Sequence, residues 1–177
     1  MELKGSQTEK NLWAAFAGES QAHTKYLYYA SQAKKDGYTQ ISNIFNETAT
    51  NEKAHAKIWF KLVHGVGDTK ANLADAASGE NEEWTSMYPE FARVAREEGF
   101  DKIARLFDAV GKIEKEHDAR YKLLLQKVDE GTVFARDEKI IWQCLNCGYV
   151  CESPKAPMKC PVCDHPQSFF QQLVQDY

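Results

Sequence analysis

In Glu114-Lys115-Glu116-His117, and again earlier in Glu52-Lys53-Ala54-His55, a glutamate and a histidine stand three positions apart. On a helix that spacing projects both side chains from one face. The match spreads outward from the two pairs. In the register that lays Glu52 on Glu114, Gly37 answers Gly99, Tyr38 answers Phe100, Ile41 answers Ile103, Phe45 answers Phe107 and Trp59 answers Tyr121. Further upstream Gly18-Glu19 answers Gly79-Glu80, with the register slipped by one. The chain therefore carries an internal repeat. Each copy supplies one glutamate, a helical hairpin and a Glu-x-x-His pair, which predicts two hairpins pairing into an all-α four-helix bundle around one shared centre.

The hydrophobic pattern supports four helical stripes. Leu12, Phe16, Glu19, His23, Tyr26, Ala30 and Ala33 recur at three- and four-residue steps between Thr8 and Asp36, and Gly37 is a left-handed stop. The second stripe runs Ile41, Phe45, Thr48, Glu52, His55, Trp59, Leu62. Gly65 to Gly79 breaks the pattern and predicts a long crossover connection with room for a short helix, of the kind found in ferritin-like bundles. The third stripe, Glu80, Glu83, Met87, Phe91, Val94, contains Pro89, which predicts a kink or a lost helical hydrogen bond. The fourth, Ile103 to Val128, is the longest, and Gly131 closes it.

Five glutamates, Glu19, Glu52, Glu80, Glu83 and Glu114, lie in otherwise apolar stripes beside His55 and His117. One such glutamate alone reads as a helix-edge residue with its head in water. Five converging in a bundle core are prohibitively costly unless cations bind them. One Glu from each of two helices, with Glu-x-x-His from the other two, is the ligand arrangement of di-iron carboxylate bundles. Carboxylate and imidazole without thiolate suit iron or manganese. Glu83 is then surplus, one turn beyond Glu80. Five carboxylates on two ferric ions leave a formal charge of +1, or −1 with an oxo bridge, and on two ferrous ions −1. An extra anionic ligand thus favours the oxidised pair, and a reduced pair can release it. His23, four residues after Glu19, is a weaker competitor as a ligand. Tyr26 and Tyr88, about two turns after Glu19 and Glu80, are candidates to hydrogen-bond the ligating carboxylates.

From about Lys139 the composition changes. Ile140-Ile141-Trp142-Gln143 reads as a strand, and four of the five prolines fall in this last part, so a separate turn-rich module begins near Ala135 to Glu138. The expected division is 1–137 and 138–177. All five cysteines lie between Cys144 and Cys163, and Cys144-x-x-Cys147 with Cys160-x-x-Cys163 are two knuckles around one tetrahedral metal, zinc or a single iron. Cys151 is left over as a small half-buried residue. Residues 138–177 hold three Lys/Arg against four Asp/Glu, the wrong balance for gripping nucleic acid. The whole chain, at a formal charge of −4, argues the same, and no apolar run approaches a membrane span. The N-terminal residues lack the apolar core of a secretion signal, which predicts a cytoplasmic protein.

Gly148 after Cys147 and Pro161 after Cys160 match the knuckles of rubredoxins, whereas Asp164 stands where rubredoxins usually carry glycine and predicts a differently hydrogen-bonded second knuckle. With both parts in view, nearly the whole chain resembles the rubrerythrin family. The resemblance rests on Glu19, Glu52-x-x-His55, Glu80-x-x-Glu83, Glu114-x-x-His117 and the four knuckle cysteines. It implies a non-haem di-iron centre, oxo-bridged when oxidised, held by Glu19, Glu52, His55, Glu80, Glu83, Glu114 and His117. It also implies one Fe(Cys)4 iron on Cys144, Cys147, Cys160 and Cys163. On reduction one iron is expected to exchange Glu83 for His55. His165 is expected near the di-iron site of the partner in a head-to-tail homodimer. The implied activity is reduction of hydrogen peroxide to water, with electrons from a donor such as rubredoxin or an NAD(P)H-linked reductase. Two other readings compete: a ferritin-like ferroxidase handling iron, and a binding module with a structural zinc ribbon.

Overall fold

The computed structural model describes residues 2–174. Its contacts divide the chain into two compact units, Met1–Gly67 and Asp68–Tyr177. The first unit is one helical hairpin, α1 (Gln7–Lys35) and α2 (Thr39–Val63). Ser6 caps α1, its hydroxyl accepting from the Glu9 amide at 3.1 Å, while the Glu9 carboxylate reaches back to the Gly5 amide. This Ser-x-x-Glu arrangement satisfies one amide that the first helical turn leaves free and one just ahead of the cap. At the other end Gly37 adopts φ +87°, and the Tyr38 amide bonds the Ala33 carbonyl at 2.8 Å, turning the chain into α2.

The second unit repeats the plan with one difference. Its helices are α3 (Thr69–Glu82), α4 (Tyr88–Glu97) and α5 (Asp101–Asp129), with a π turn, Glu83–Met87, joining α3 to α4. Counting the interrupted α3–α4 as one, the chain has four helices among the described residues. The turn into α5 copies the first hairpin: Gly99 has φ +83° and the Phe100 amide bonds the Ala95 carbonyl. Small residues line both hairpin seams, and they too correspond. Ala30, Ala33 and Ser42 are buried in the first unit, Ala92, Ala95 and Ala104 in the second. Small side chains let the helix backbones approach closely.

The repeat explains the π turn. The stretch from Glu80 to Tyr88 is longer by one residue than its counterpart from Glu19 to Tyr26. A helix absorbs such an extra residue as a single π turn. Pro89 follows at the start of α4, where its missing amide donor is tolerated, so the expected disturbance sits just upstream of the proline rather than as a kink at it. The expected crossover is also shorter than its sequence suggests. Asp68 caps α3, accepting from the Ala71 amide at 2.8 Å, so helix resumes at Thr69 and only residues 64–68 connect it to α2. Alanine-rich residues 71–78 form helix although no large apolar stripe marks them.

The C-terminal part is a three-stranded antiparallel sheet in the order β2-β1-β3, from β1 (Ala135–Cys144), β2 (Val150–Lys155) and β3 (Phe170–Gln172). β1 begins at Ala135, ahead of the expected Ile140, because Ala135 pairs with Lys155 across an irregularity in the ladder. Trp142, 1% exposed, anchors a small core with Cys144, Ala156, Cys160 and Phe170. Its indole N–H donates to the Ser153 carbonyl at 3.0 Å, so the ring is buried without an orphaned donor. Burying a ring of this size is worth about 3 kcal/mol.

The two knuckles turn alike. The Gly148 amide bonds the Cys144 carbonyl at 2.9 Å, and the Asp164 amide bonds the Cys160 carbonyl at 3.0 Å. Asp164 achieves this with φ +62°, the left-handed conformation Gly148 adopts at +76°. The expectation of a differently bonded second knuckle is thus corrected: aspartate imitates glycine at a backbone cost. Asp164→Gly should accordingly stabilise the sheet module by about 0.5–1 kcal/mol. Thermal unfolding of the metal-loaded protein, followed at the thiolate absorption, measures it.

Candidate metal centres

Each helical unit holds one triad. Glu19 projects from α1, and Glu52 with His55 from α2; one ligand atom from each lies within 4.8 Å of the others. His55 Nδ1 stands 2.9 Å from Glu52 Oε2 and 3.9 Å from Glu19 Oε2. The second triad is its near duplicate. His117 Nδ1 stands 2.7 Å from Glu114 Oε2 and 3.7 Å from Glu80 Oε2, with the same 4.8 Å grouping. The two sets of distances nearly coincide because the i, i+3 spacing on one helix fixes the Glu-His pair, and the hairpin seam fixes the facing glutamate.

The second triad is electrostatically frustrated without a cation. Burial pushes the Glu80 carboxyl above the usual carboxylate range, and the negative charge of Glu114 pushes it further. Two acids held this close and half-buried repel, and a divalent ion removes the repulsion while using both as ligands. The donor set of carboxylates and imidazole without sulfur fits iron or manganese.

Glu83 belongs to neither triad. It is the first residue of the π turn, one turn beyond Glu80, and half-buried. Its charge acts on the Glu80 carboxyl, and also on Tyr88. The Tyr88 phenol is pushed up by burial first, then by Glu83, Glu114 and Glu80, so it keeps its proton and faces the acids of this triad. Tyr26, its counterpart, packs against Phe45 with ring centroids 6.0 Å apart. His23 is not in the first triad: its Nδ1–H donates to the Ala49 carbonyl at 2.7 Å, tying α1 to α2.

Asp118 stands out only in the folded chain. It is 3% exposed, next to His117, and its Oδ2 accepts from Asn81 Nδ2 at 3.0 Å, Trp84 Nε1 at 2.9 Å and Lys122 Nζ at 2.8 Å. These bonds, that from Asn81 foremost, hold its carboxyl down at about 2. The repeat carries a faint signal for it, because Asp118 falls at the position of Ala56, which is buried in the first hairpin.

The four knuckle cysteines form the third cluster. Cys144 and Cys163 sulfurs are 3.6 Å apart, as are those of Cys147 and Cys160. A tetrahedron with metal–sulfur bonds of about 2.3 Å has edges of about 3.8 Å, so the cage fits one zinc or iron. The Tyr149 amide points at the Cys147 sulfur, and the His165 amide at Cys163, whose thiol it brings down to about 6. His165 itself bonds the Cys163 carbonyl through Nδ1 at 3.1 Å and lies edge-on to Phe169. Cys151 stands outside the cage, half-buried on β2 opposite Trp142.

Comparison with known proteins places these clusters in a family. The profile described as Rubrerythrin matches residues 10–125, and that described as Rubrerythrin, rubredoxin-like domain matches residues 142–171. The chain is 51% identical to the rubrerythrin of Porphyromonas gingivalis, covering 99% of this chain and 94% of the relative. It is 48% identical to the rubrerythrin of Nitratidesulfovibrio vulgaris, covering 97% and 96%. Among solved structures, the fully reduced, all-ferrous state of nigerythrin matches at 32% identity over 97% of this chain and 91% of that one, with a TM-score of 0.38. No helix among the described residues is long and apolar enough to cross a membrane. The chain belongs to the rubrerythrin family, with a Glu/His di-iron cluster and a four-cysteine rubredoxin-like site on one polypeptide.

Proposed function

We propose that this protein is a hydrogen peroxide reductase, in which residues 1–137 reduce peroxide and residues 138–177 take in the electrons. The observation that carries this reading is the pair of matching Glu/Glu/His triads on the same chain as a four-thiolate cage. In this reading each triad supplies metal ligands of the family's di-iron chemistry: Glu19, Glu52 and His55 from the first hairpin, Glu80, Glu114 and His117 from the second, with Glu83 as the exchangeable acid. A bound iron pair supplies two electrons, which with two protons convert one hydrogen peroxide to two waters.

The side chains set the conditions for that conversion. The glutamates would balance the charge of the metal pair, and the extra negative charge of Glu83 would favour ferric over ferrous ions. His55 is half-exposed, with Nδ1 among the glutamates of its own triad; in this reading it is the histidine that takes the place of Glu83 as a ligand on reduction. Tyr88 keeps its phenol proton beside the acids and would be a proton donor in this reading. In the cage the Tyr149 and His165 amides stabilise thiolate charge, and a single iron there passes one electron at a time. Rubredoxin or an NAD(P)H-linked reductase fits as donor, and a homodimer as the assembly.

The division of labour is testable. Cys160→Ser should abolish reduction of the bundle by the external donor, while a chemically reduced bundle still consumes peroxide in stopped-flow. A bundle unreactive after chemical reduction overturns the proposal. Glu83→Ala should raise the reduction potential of the di-iron pair, since a ligand of the oxidised form is gone. A spectroelectrochemical titration of metal-replete protein that returns the wild-type potential removes Glu83 from the ligand set.

A further inference from the structure

The two triads match, but their surroundings do not, and every difference concentrates around the π turn. In the register that lays Glu19 on Glu80, Ser20 answers Asn81, Ala22 answers Glu83 and His23 answers Trp84. In the register that lays Glu52 on Glu114, Ala49 answers Gly111 and Ala56 answers Asp118. The first hairpin has no π turn, no fifth glutamate and no buried aspartate among its described residues. The second has all three, and they adjoin one another. Asn81 lies one residue after Glu80, Trp84 one residue after Glu83, and both donate to the same Asp118 oxygen on α5.

A single π turn is a strained way to house an extra residue, and the ordinary α-helical register competes with it at every position. The turn here is pinned at both ends. At its start, Trp84 and Asn81 are bonded to Asp118, and Lys115 Nζ lies 5.2 Å from the centroid of the Trp84 ring. At its end, Tyr88 comes so near α5 that a β-carbon on Gly111 would meet Tyr88 Cβ at 3.2 Å. Rotating the turn back into α register would swing Trp84 and its neighbour Glu83 by one position. It would also take the Trp84 indole donor away from the Asp118 carboxylate, which is 3% exposed. Its other oxygen, Oδ1, already has no partner among the described residues, so further loss of bonds is heavily penalised.

We propose that Asp118 is a positioning residue for Glu83: by anchoring Trp84 and Asn81 it holds the π turn in the register that presents the fifth carboxylate to the metal pair. This rests on the reading of Glu83 as a ligand of the oxidised pair. Asp118 touches neither metal nor peroxide; it acts through the backbone between Asn81 and Trp84.

The test measures di-iron reduction potentials in the full-length, metal-replete protein for Asp118→Leu, Trp84→Phe and Glu83→Ala, singly and with each of the first two combined with Glu83→Ala. Asp118→Leu should raise the potential toward that of Glu83→Ala, and adding Glu83→Ala should bring no shift beyond Glu83→Ala alone. A simple loss of negative charge would instead add in the double variant. Trp84→Phe changes no charge and should shift the potential in the same direction. In metal-free protein, the Trp84 indole N–H resonance, assigned by its absence in Trp84→Phe, should lose its protection from solvent exchange in Asp118→Leu. If Glu83→Ala itself leaves the potential unchanged, the ligand reading fails. If Glu83→Ala shifts it while Asp118→Leu keeps the wild-type value or adds fully, the positioning role fails. Should Asp118→Leu not fold, Trp84→Phe decides alone: a wild-type potential there overturns the proposal.

Discussion

Two carboxylates and an imidazole, held within 4.8 Å of one another on a hairpin seam, repel and compete until a cation joins them. That constraint governs the helical part of this protein. It explains why the acids sit on otherwise apolar stripes, and why the Glu80 carboxyl is pushed toward its protonated form by burial and by Glu114. A seam lined by Ala77, Ala92, Ala95 and Ala104 brings the helices close enough for glutamates on different helices to share one ion. Larger side chains at those positions would separate the ligands by more than a metal–oxygen bond can span.

The two triads show how a duplicated hairpin acquires a specialised half. Both copies keep nearly the same ligand geometry, because it depends on helical spacing and small seam residues. The second copy has one more residue between Glu80 and Tyr88, takes it up as a π turn, and places there a glutamate where the first copy has alanine. A helix interruption of that kind persists only if surrounding bonds favour it. Here Asp118 and Gly111 replace Ala56 and Ala49, one supplying an acceptor and the other the space that Tyr88 fills. The first copy uses the equivalent of Trp84, His23, to bond a main-chain carbonyl across the seam instead.

The sulfur cage is held by other means. The three-stranded sheet buries a small core, in which Trp142 is the largest fully buried side chain. Its precision comes from two matched backbone turns, one on Gly148 and one on Asp164, each closing on the carbonyl of the first cysteine in its knuckle. Asp164 tolerates the left-handed conformation, as short polar side chains can, and its carboxylate meets Lys159 at 2.8 Å on the surface.

Short chain spacing was enough to make much of this protein legible in its amino-acid order. Glu-x-x-His and Cys-x-x-Cys are local geometries that a helix or a knuckle delivers whatever else surrounds it, so the Glu-His pairs and the cage could be read from spacing, and Glu19 and Glu80 from the repeat. The repeat was legible for the same reason, down to the slip of one residue that marks the π turn. Contacts between distant segments settled the rest, because no local pattern encodes them. They assigned His23 to Ala49 rather than to a metal and started β1 at Ala135 through its pairing with Lys155, whereas the Asp68 cap that starts α3 and the left-handed turn at Asp164 are local features. They also brought out Asp118, whose partners Trp84 and Asn81 come from the other side of the hairpin. A buried charge is defined by the donors packed around it, and those donors become neighbours only when the helices do.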